Sequence, residues 1–417
     1  MYLRFAPLAL SALALSACTT MAPTSHSGQG QGPSLAPLTE AQFSDDLSRR
    51  TFDYFWETTD TERCLAPDRW PSNPFSSIAA TGFALTAFGN GAERGYVTRE
   101  QAAERTRDCL EFYWNAPQGP APTGMTGHKG FFYHFLDMET GLRYRDTELS
   151  TVDTTLLLAI GSATHPVPAS VWDEWCSVYD RSWTDRWGPA HLHFAPMFGH
   201  QYSHMFVDFR GIRDAWMRAK SAELGHFDYF ENSVRAVAAQ RKYAADNPMG
   251  WAGYSDAVWG LTACDGPGDF KQVIGGRERE FFSYSARGPG ERDDGTIAPT
   301  AAMASMPFAA ADVTACLKAM KARYGAGIYT EFGFLDSFNP TLTETGRTLQ
   351  HGRIVPGVGW VDGDYLGIDQ GPIVIMIENA RSDIVWRRMQ GEPNITRGLK
   401  RAGFTGGWLA SFSDSGA

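Results

Sequence analysis

Residues 357–381 read GVGWVDGDYLGIDQGPIVIMIENAR, and their reading governs both the architecture and the chemistry expected of this chain. An apolar run, Ile373 to Ile377, begins straight after Gly371-Pro372. Proline is well placed near a helix start, because its missing N–H would have no partner there. The stretch therefore predicts an acidic, aromatic loop that runs into a buried helix over 367–379. Asp362, Asp364 and Asp369 crowd that loop with Trp360. Carboxylates can hydrogen-bond hydroxyls or move protons, and an indole can stack on a sugar face, so the loop suits a neutral polyhydroxylated ligand. The competing reading is a glycine-rich turn whose aspartates cap the backbone.

Outward from this segment, helical periodicity dominates. Phe43, Leu47, Phe52, Phe55 and Trp56 gather on one side of a helix. Thr98 followed three residues later by Gln101 predicts a capping box at the start of another. Helical patterns also cover 76–88, 150–160, 168–179, 200–220, 227–246, 251–262, 298–306, 311–323 and 394–402. Strand-like runs are few, chiefly 130–135 and 279–285. A dozen helices separated by glycine-, proline- and aromatic-rich loops suit an all-α toroid, and no repeat of fixed length suggests a solenoid.

The first 17 residues carry one basic residue, an apolar stretch and then Leu15-Ser16-Ala17-Cys18. Small residues ahead of a cysteine resemble a bacterial lipoprotein signal, with Cys18 lipidated. Thr19 after that cysteine favours the outer membrane, facing the periplasm. Residues 18–40 read as a flexible tether, and 41–417 as one large domain. The formal net charge of −10 argues against nucleic acid or an anionic membrane surface as partner. The five cysteines after Cys18 are widely spaced without a CxxC, so no zinc knuckle is signalled; one or two disulfides that sequence does not assign stay open, and buried thiols are the leading expectation.

Three further segments could carry chemistry. Residues 131–153, FFYHFLDMETGLRYRDTELSTVD, hold Asp137, Glu148 and Asp153, the last poised at a helix start where it could serve either as a cap or as a general acid or base. Residues 191–211, HLHFAPMFGHQYSHMFVDFRG, place His200 and His204 four apart on either side of Tyr202. That is metal-ligand spacing, but without a zincin-type glutamate it reads as structural or sugar-contacting histidine, and no metal is expected. Residues 287–299 include Asp293 and Asp294, which either cap the next helix or line the cleft. Trp251, in a loop beside Asp256, is a candidate for sugar stacking. No GxSxG elbow, GxxxxGK loop or dinucleotide fingerprint occurs, which takes serine-hydrolase and nucleotide chemistry out of the front rank, and no cofactor is expected.

In their order along the chain, TFDYFWETTD, DRWPSNPFSSIAATGFALTA, GFFYHFLDMETG, FAPMFGHQYSHMFVDFRG, NPMGWAGYSDAVWGLTACDGP, RDDGTIAPTAA and the opening segment together resemble the bacterial glycoamylase-like family. That family includes β-1,2-glucanases and the corresponding domain of cyclic β-1,2-glucan synthases. The resemblance implies an (α/α)6 toroid whose cleft binds a β-glucan and cleaves it with paired carboxylates. One departure stands out. In relatives a helical pair and its loop intervene between the segments matching STVDT and GSATHPV, and a glutamate there resembles the family's general acid. Here 151–159 runs directly into Ile160-Gly161-Ser162, so the toroid is expected to be short of one helical pair. The catalytic candidates that remain are Asp153, Glu148 and Asp369. Asp137, His200, Tyr202, His204, Trp251, Asp294, Trp360 and Asp364 are expected to contact substrate.

The leading expectation is thus a monomeric, periplasm-facing outer-membrane lipoprotein that hydrolyses β-1,2-glucan without a required metal. A glucan-binding protein that has lost turnover with the missing stretch is the alternative. A metallohydrolase built on His200 and His204 ranks third.

Overall fold

A computed structural model describes residues 40–150 and 170–412. Twelve α-helices occupy the described residues: α1 (Glu40–Thr58), α2 (Ile78–Arg94), α3 (Arg99–Asn115), α4 (Ser170–Cys176), α5 (Tyr202–Phe206), α6 (Ala215–Leu224), α7 (Tyr229–Asp246), α8 (Pro299–Met303), α9 (Ala310–Tyr324), α10 (Gly367–Ser382), α11 (Ile384–Gln390) and α12 (Pro393–Arg401). Strands are short and form small antiparallel pairs rather than one sheet. Helices are the main regular structure of the described residues, as expected, and much of the remainder is irregular loop. None of the described helices is long and apolar enough to cross a membrane. The lipoprotein signal, Cys18 and most of the tether lie outside the described residues, as do Asp153 and the junction at 159–162.

The opening segment forms the centre of the packing. α10 is buried along nearly its whole length and packs against α1, α2, α5, α8 and α11. It begins at Gly367, so Pro372 lies inside the helix rather than at its first position. Proline cannot donate to the carbonyl four residues back. The Tyr202 hydroxyl supplies that bond instead, donating to the Ile368 carbonyl at 3.1 Å. Glycine lets α10 press against its neighbours: a Cβ on Gly371 would lie 2.2 Å from the Phe83 ring of α2. Glu378, buried near the end of α10, accepts from Ser48 of α1 and pairs with Arg94 of α2, so its charge is compensated.

The Thr98–Gln101 capping box forms as expected, with Gln101 N–H donating to Thr98 Oγ1 at 3.1 Å and Thr98 N–H to Gln101 Oε1 at 2.8 Å. Cys64 and Cys109 are joined in a disulfide that ties the loop after α1 to α3. This corrects the expectation of thiols at those two positions. Cys264 and Cys316 are buried free thiols.

Two helical expectations fail locally. Residues 251–262 form an irregular loop, because Gly253 (φ 90°) and Gly260 (φ 143°) hold backbone angles no right-handed helix accepts. At Gly260 a Cβ would also lie 2.6 Å from the Ala298 carbonyl oxygen. The 200–220 pattern splits into α5 and α6 around Gly211 (φ 76°), and Asp214 restarts the helix by accepting from Met217 N–H at 2.7 Å. α11 escaped the periodicity altogether. It starts after Asp383 (φ 53°), with the Asn379 side chain of α10 accepting from Val385 and Trp386 N–H.

Candidate active site

The N-terminus of α10, with the loop that leads into it, meets three other segments of the chain. The strand Arg69–Trp70 pairs with Tyr365–Leu366, and Gly367 N–H donates to the Asp68 carbonyl at 2.8 Å. Asp336 N–H donates to the Asp364 carbonyl at 3.0 Å, and Asp362 N–H to the Ser337 carbonyl at 2.9 Å. Ser337 Oγ donates to the Asp265 carbonyl at 2.8 Å, and Asp265 N–H to Asp336 Oδ2 at 2.8 Å. This main-chain lacing gathers Asp68, Asp265, Asp336, Asp362, Asp364 and Asp369, all of them buried.

Arg69 is the guanidinium at their centre. Its Nη1 donates to Asp265 Oδ2 at 2.6 Å, its Nε lies 3.4 Å from Asp68 Oδ2, and His351 Nδ1 is 3.5 Å from Nη1. One fixed cation cannot neutralise so many carboxylates out of water, so protons make up the difference. Burial, reinforced by Asp265, raises Asp68 to about 6 against the opposing pull of Arg69 and His134. Burial and then Asp265 raise Asp336 to about 7. Burial, with Asp336 next in each case, holds Asp362 and Asp369 well above the ordinary carboxylate range. Asp336 and Asp369 are coupled through charge, and each keeps one buried oxygen, Oδ1 of Asp336 and Oδ2 of Asp369, without a hydrogen-bond partner. A buried acid that keeps its proton near neutrality, beside one able to accept it, is equipped for acid–base catalysis.

The cluster is roofed by groups that reach solvent. Ser72 is exposed and donates through N–H and Oγ to the two Asp364 oxygens, at 3.0 and 2.8 Å. Tyr284 is 45% exposed, yet burial, followed by the charge of Asp369, raises its hydroxyl pKa.

Among the residues expected from sequence, Asp369 and Asp364 belong to this cluster, and Tyr202 braces it through Ile368. Glu148 sits on an exposed rim, its side chain 67% accessible, 2.8 Å from His134 Nδ1. The others are placed elsewhere or built into the framework. Trp360 is wholly buried against Phe281 and Leu342, and its indole N–H donates to the His351 carbonyl at 2.8 Å, so no ring face is free for a sugar. Trp251 is buried under the Arg279 guanidinium and donates to Asp293. Asp294 is spent in a fully buried ion pair with Arg287, Nε to Oδ1 at 2.8 Å. Neither Asp293 nor Asp294 caps α8 or faces the cluster. Asp137 closes its own turn by accepting from Glu139 N–H, Thr140 N–H and Thr140 Oγ1.

His200 and His204 are both buried and held neutral, their pKa values lowered to about 3 by burial. His200 Nε2 accepts from Phe194 N–H at 3.3 Å, and His204 lies 3.1 Å from Ser233 Oγ among Phe209, Phe230 and Phe308. They are packing histidines. Sequence reasoning missed Asp68, Arg69, Asp265, Asp336 and His351. Asp68 and Arg69 lie at a two-residue strand, and Asp265, Asp336 and His351 each stand in a loop without a periodic pattern to mark them. A three-donor set that could hold a metal, Asp265, His351 and Asp362, is found within this cluster, one potential ligand atom from each lying within 4.8 Å of the others.

Comparison with known proteins gives this geometry a context. The signature of the Glycoamylase family matches residues 143–393. An exo β-1,2-glucooligosaccharide sophorohydrolase (non-reducing end) of Parabacteroides distasonis is 22% identical, over 90% of this chain and 60% of its own length. The chain thus spans about 60% of that curated relative. The alignment covers 471 positions, whereas 90% of 417 residues is roughly 375, so about 95 positions have no counterpart here. The crystal structure of an endo-β-1,2-glucanase from Chitinophaga pinensis, in complex with sophorotriose and glucose, superposes with a TM-score of 0.72 at 23% identity, covering 89% of this chain and all of that one. A β-1,2-glucanase structure from Parabacteroides distasonis superposes at 0.66 with 21% identity, over 88% of this chain and 60% of that one. The fold is shared with these structures.

Proposed function

The chain belongs to the Glycoamylase family, and from that premise we propose that it is a glycoside hydrolase acting on β-1,2-glucan by acid–base catalysis between carboxyl groups. The observation that carries this reading is the cluster of buried carboxyl groups at the start of α10, in which burial and neighbouring carboxylates raise Asp336 and Asp369 above the ordinary carboxylate range. Glycosidic cleavage requires one carboxyl group to protonate the departing oxygen and a second to activate water or attack directly. Asp369 takes the proton-donating role. Asp68, poised to lose its proton near pH 6, is suited to the second, with Glu148 on the rim and Asp153 as the remaining candidates. Arg69 and Asp364 serve to orient sugar hydroxyls. The neutral partner fits a cleft lined by acids, since an anionic ligand would be repelled.

The helices and their looped connections support closure into an (α/α)6-type ring short of one helical pair. The Leu15-Ser16-Ala17-Cys18 sequence supports lipid attachment at Cys18 and a periplasm-facing outer-membrane location. Incorporation of labelled fatty acid that persists in Cys18→Ser would remove the anchor from the proposal.

A second reading is favoured by the roughly 95 alignment positions that lack a counterpart: a protein that binds the glucan and does not turn it over. Incubation with linear β-1,2-glucan, with reducing ends and released oligosaccharides followed over time, separates the two. The hydrolase reading expects new ends that disappear in Asp369→Asn. Saturable glucan binding without new ends selects the second reading, and neither binding nor cleavage overturns both.

A further inference from the structure

We infer that Asp265, Asp362 and His351 form a binding site for a divalent metal ion of borderline character, of the Zn2+ or Mn2+ class. Asp265 and Asp362 show the same asymmetry. The Oδ2 of Asp265 is engaged by Arg69 at 2.6 Å, and its Oδ1 is buried with no partner. The Oδ1 of Asp362 accepts from Gly363 N–H at 2.8 Å, and its Oδ2 is buried with no partner. Both residues are at most 1% exposed. A buried carboxyl oxygen without a partner is costly, one held through its other oxygen has the outer support typical of a metal ligand, and a bound ion takes the place of any proton these groups carry.

The third donor is an imidazole. His351 Nδ1 lies 3.8 Å from Asp265 Oδ2, and the residue is anchored by its carbonyl, which accepts from the Trp360 indole. The His351 side chain is a quarter exposed, which gives an ion a path from solvent. One nitrogen and two oxygens favour Zn2+ or Mn2+ over the all-oxygen preference of Ca2+. Metal–ligand distances of about 2.0–2.2 Å place opposed donors up to roughly 4 Å apart. A triad already within 4.8 Å closes on an ion through side-chain rotation. Arg69 is the competing cation. It holds Asp265 Oδ2, the oxygen 3.8 Å from His351 Nδ1, so an ion takes Asp265 through its free Oδ1 or displaces Nη1 from Oδ2, and in either case Nη1 gives up its 3.5 Å approach to His351.

This site stands on buried donor geometry and does not rest on the hydrolase reading, so it is tested without substrate. The purified chain is stripped with a chelator and titrated by calorimetry with ZnCl2, then with MnCl2 and CaCl2. The expected result is saturable uptake of one Zn2+ or Mn2+ per chain with a rise in melting temperature, and weaker uptake of Ca2+. His351→Ala, at a partly exposed position, is expected to weaken binding at least about tenfold while the far-ultraviolet dichroism is unchanged. Asp362→Asn is expected to do the same. His193→Ala, a surface histidine paired with Glu291, is expected to bind as the parent does. No saturable uptake up to millimolar Zn2+ or Mn2+ overturns the site, as does uptake that survives both His351→Ala and Asp362→Asn.

Discussion

Tyr202 donates its hydroxyl to the carbonyl of Ile368 at 3.1 Å, the acceptor that Pro372 leaves open within α10. A residue of α5 thereby completes the first turns of the helix that carries Asp369. Tyr202→Phe leaves that carbonyl short of a partner and is expected to destabilise the fold by about 1–2 kcal/mol, read from urea unfolding. Pro372→Ala restores a main-chain donor, so the two changes should couple in a double-mutant cycle. Strict additivity would break the connection drawn between them.

Asp369→Asn and Asp336→Asn are expected to reduce kcat on β-1,2-glucan by about 10^2- to 10^4-fold, the usual scale for a lost proton-transfer group, without unfolding the chain. Where residual turnover permits, Asp336→Asn should also move the alkaline limb of the kcat profile to lower pH. The Asp336 charge is what helps Asp369 keep its proton, after burial. A profile that stays in place would show that the two carboxyls do not share their titration.

Stability should depend on pH with a sign set by the same cluster. Asp68 and Asp336 have folded-state values of about 6 and about 7, raised from 3.8. Their contribution is fully present below the unfolded value and is lost as pH rises through the folded ones. His200 and His204, lowered from 6.5 to about 3, act oppositely, losing stability as pH falls below about 6.5. Above that pH only the aspartates matter among these groups. The melting temperature is therefore expected to fall between about pH 6.5 and 8.5, and to fall less in Asp336→Asn. A rise over that interval would contradict the assignment.

Arg287 and Asp294 are both fully buried, and their bidentate pairing also fixes the carbonyls of Cys264, Phe282 and Ser283 through the guanidinium. Arg287→Met leaves an uncompensated carboxylate in the interior and is expected to cost about 3–5 kcal/mol, measured by denaturant unfolding. Replacing both residues by apolar ones should recover part of that loss.

Much of this organisation was legible in the sequence, for identifiable reasons. The α1, α3, α7 and α9 patterns had clear periodicity or caps, and α10 announced itself as an apolar run after a glycine-rich loop. The acids of the opening segment were marked out because Asp362, Asp364 and Asp369 stand together in the sequence, and all three are buried at the start of α10. Their partners were hidden. Asp68, Asp265 and Asp336 each occupy a different loop, and hydrogen bonds between residues far apart in the chain, many of them main-chain, bring them to α10. The aromatic residues misled for a related reason. An indole beside acids reads alike whether it faces a sugar or the core, and Trp251 and Trp360 instead lend their N–H groups to Asp293 and His351.

The glycines of α10 make the gap between two helices into a gauge for a titrating group. Gly367 has room for no Cβ against Ala80 and the Pro67 carbonyl, nor Gly371 against Phe83, and Asp369 stands between them on the same helix. One methyl group at either position would force the helices apart and carry the carboxyl away from Asp336. A substitution made purely in an apolar seam would then be felt first as a change in proton affinity, before any loss of the fold.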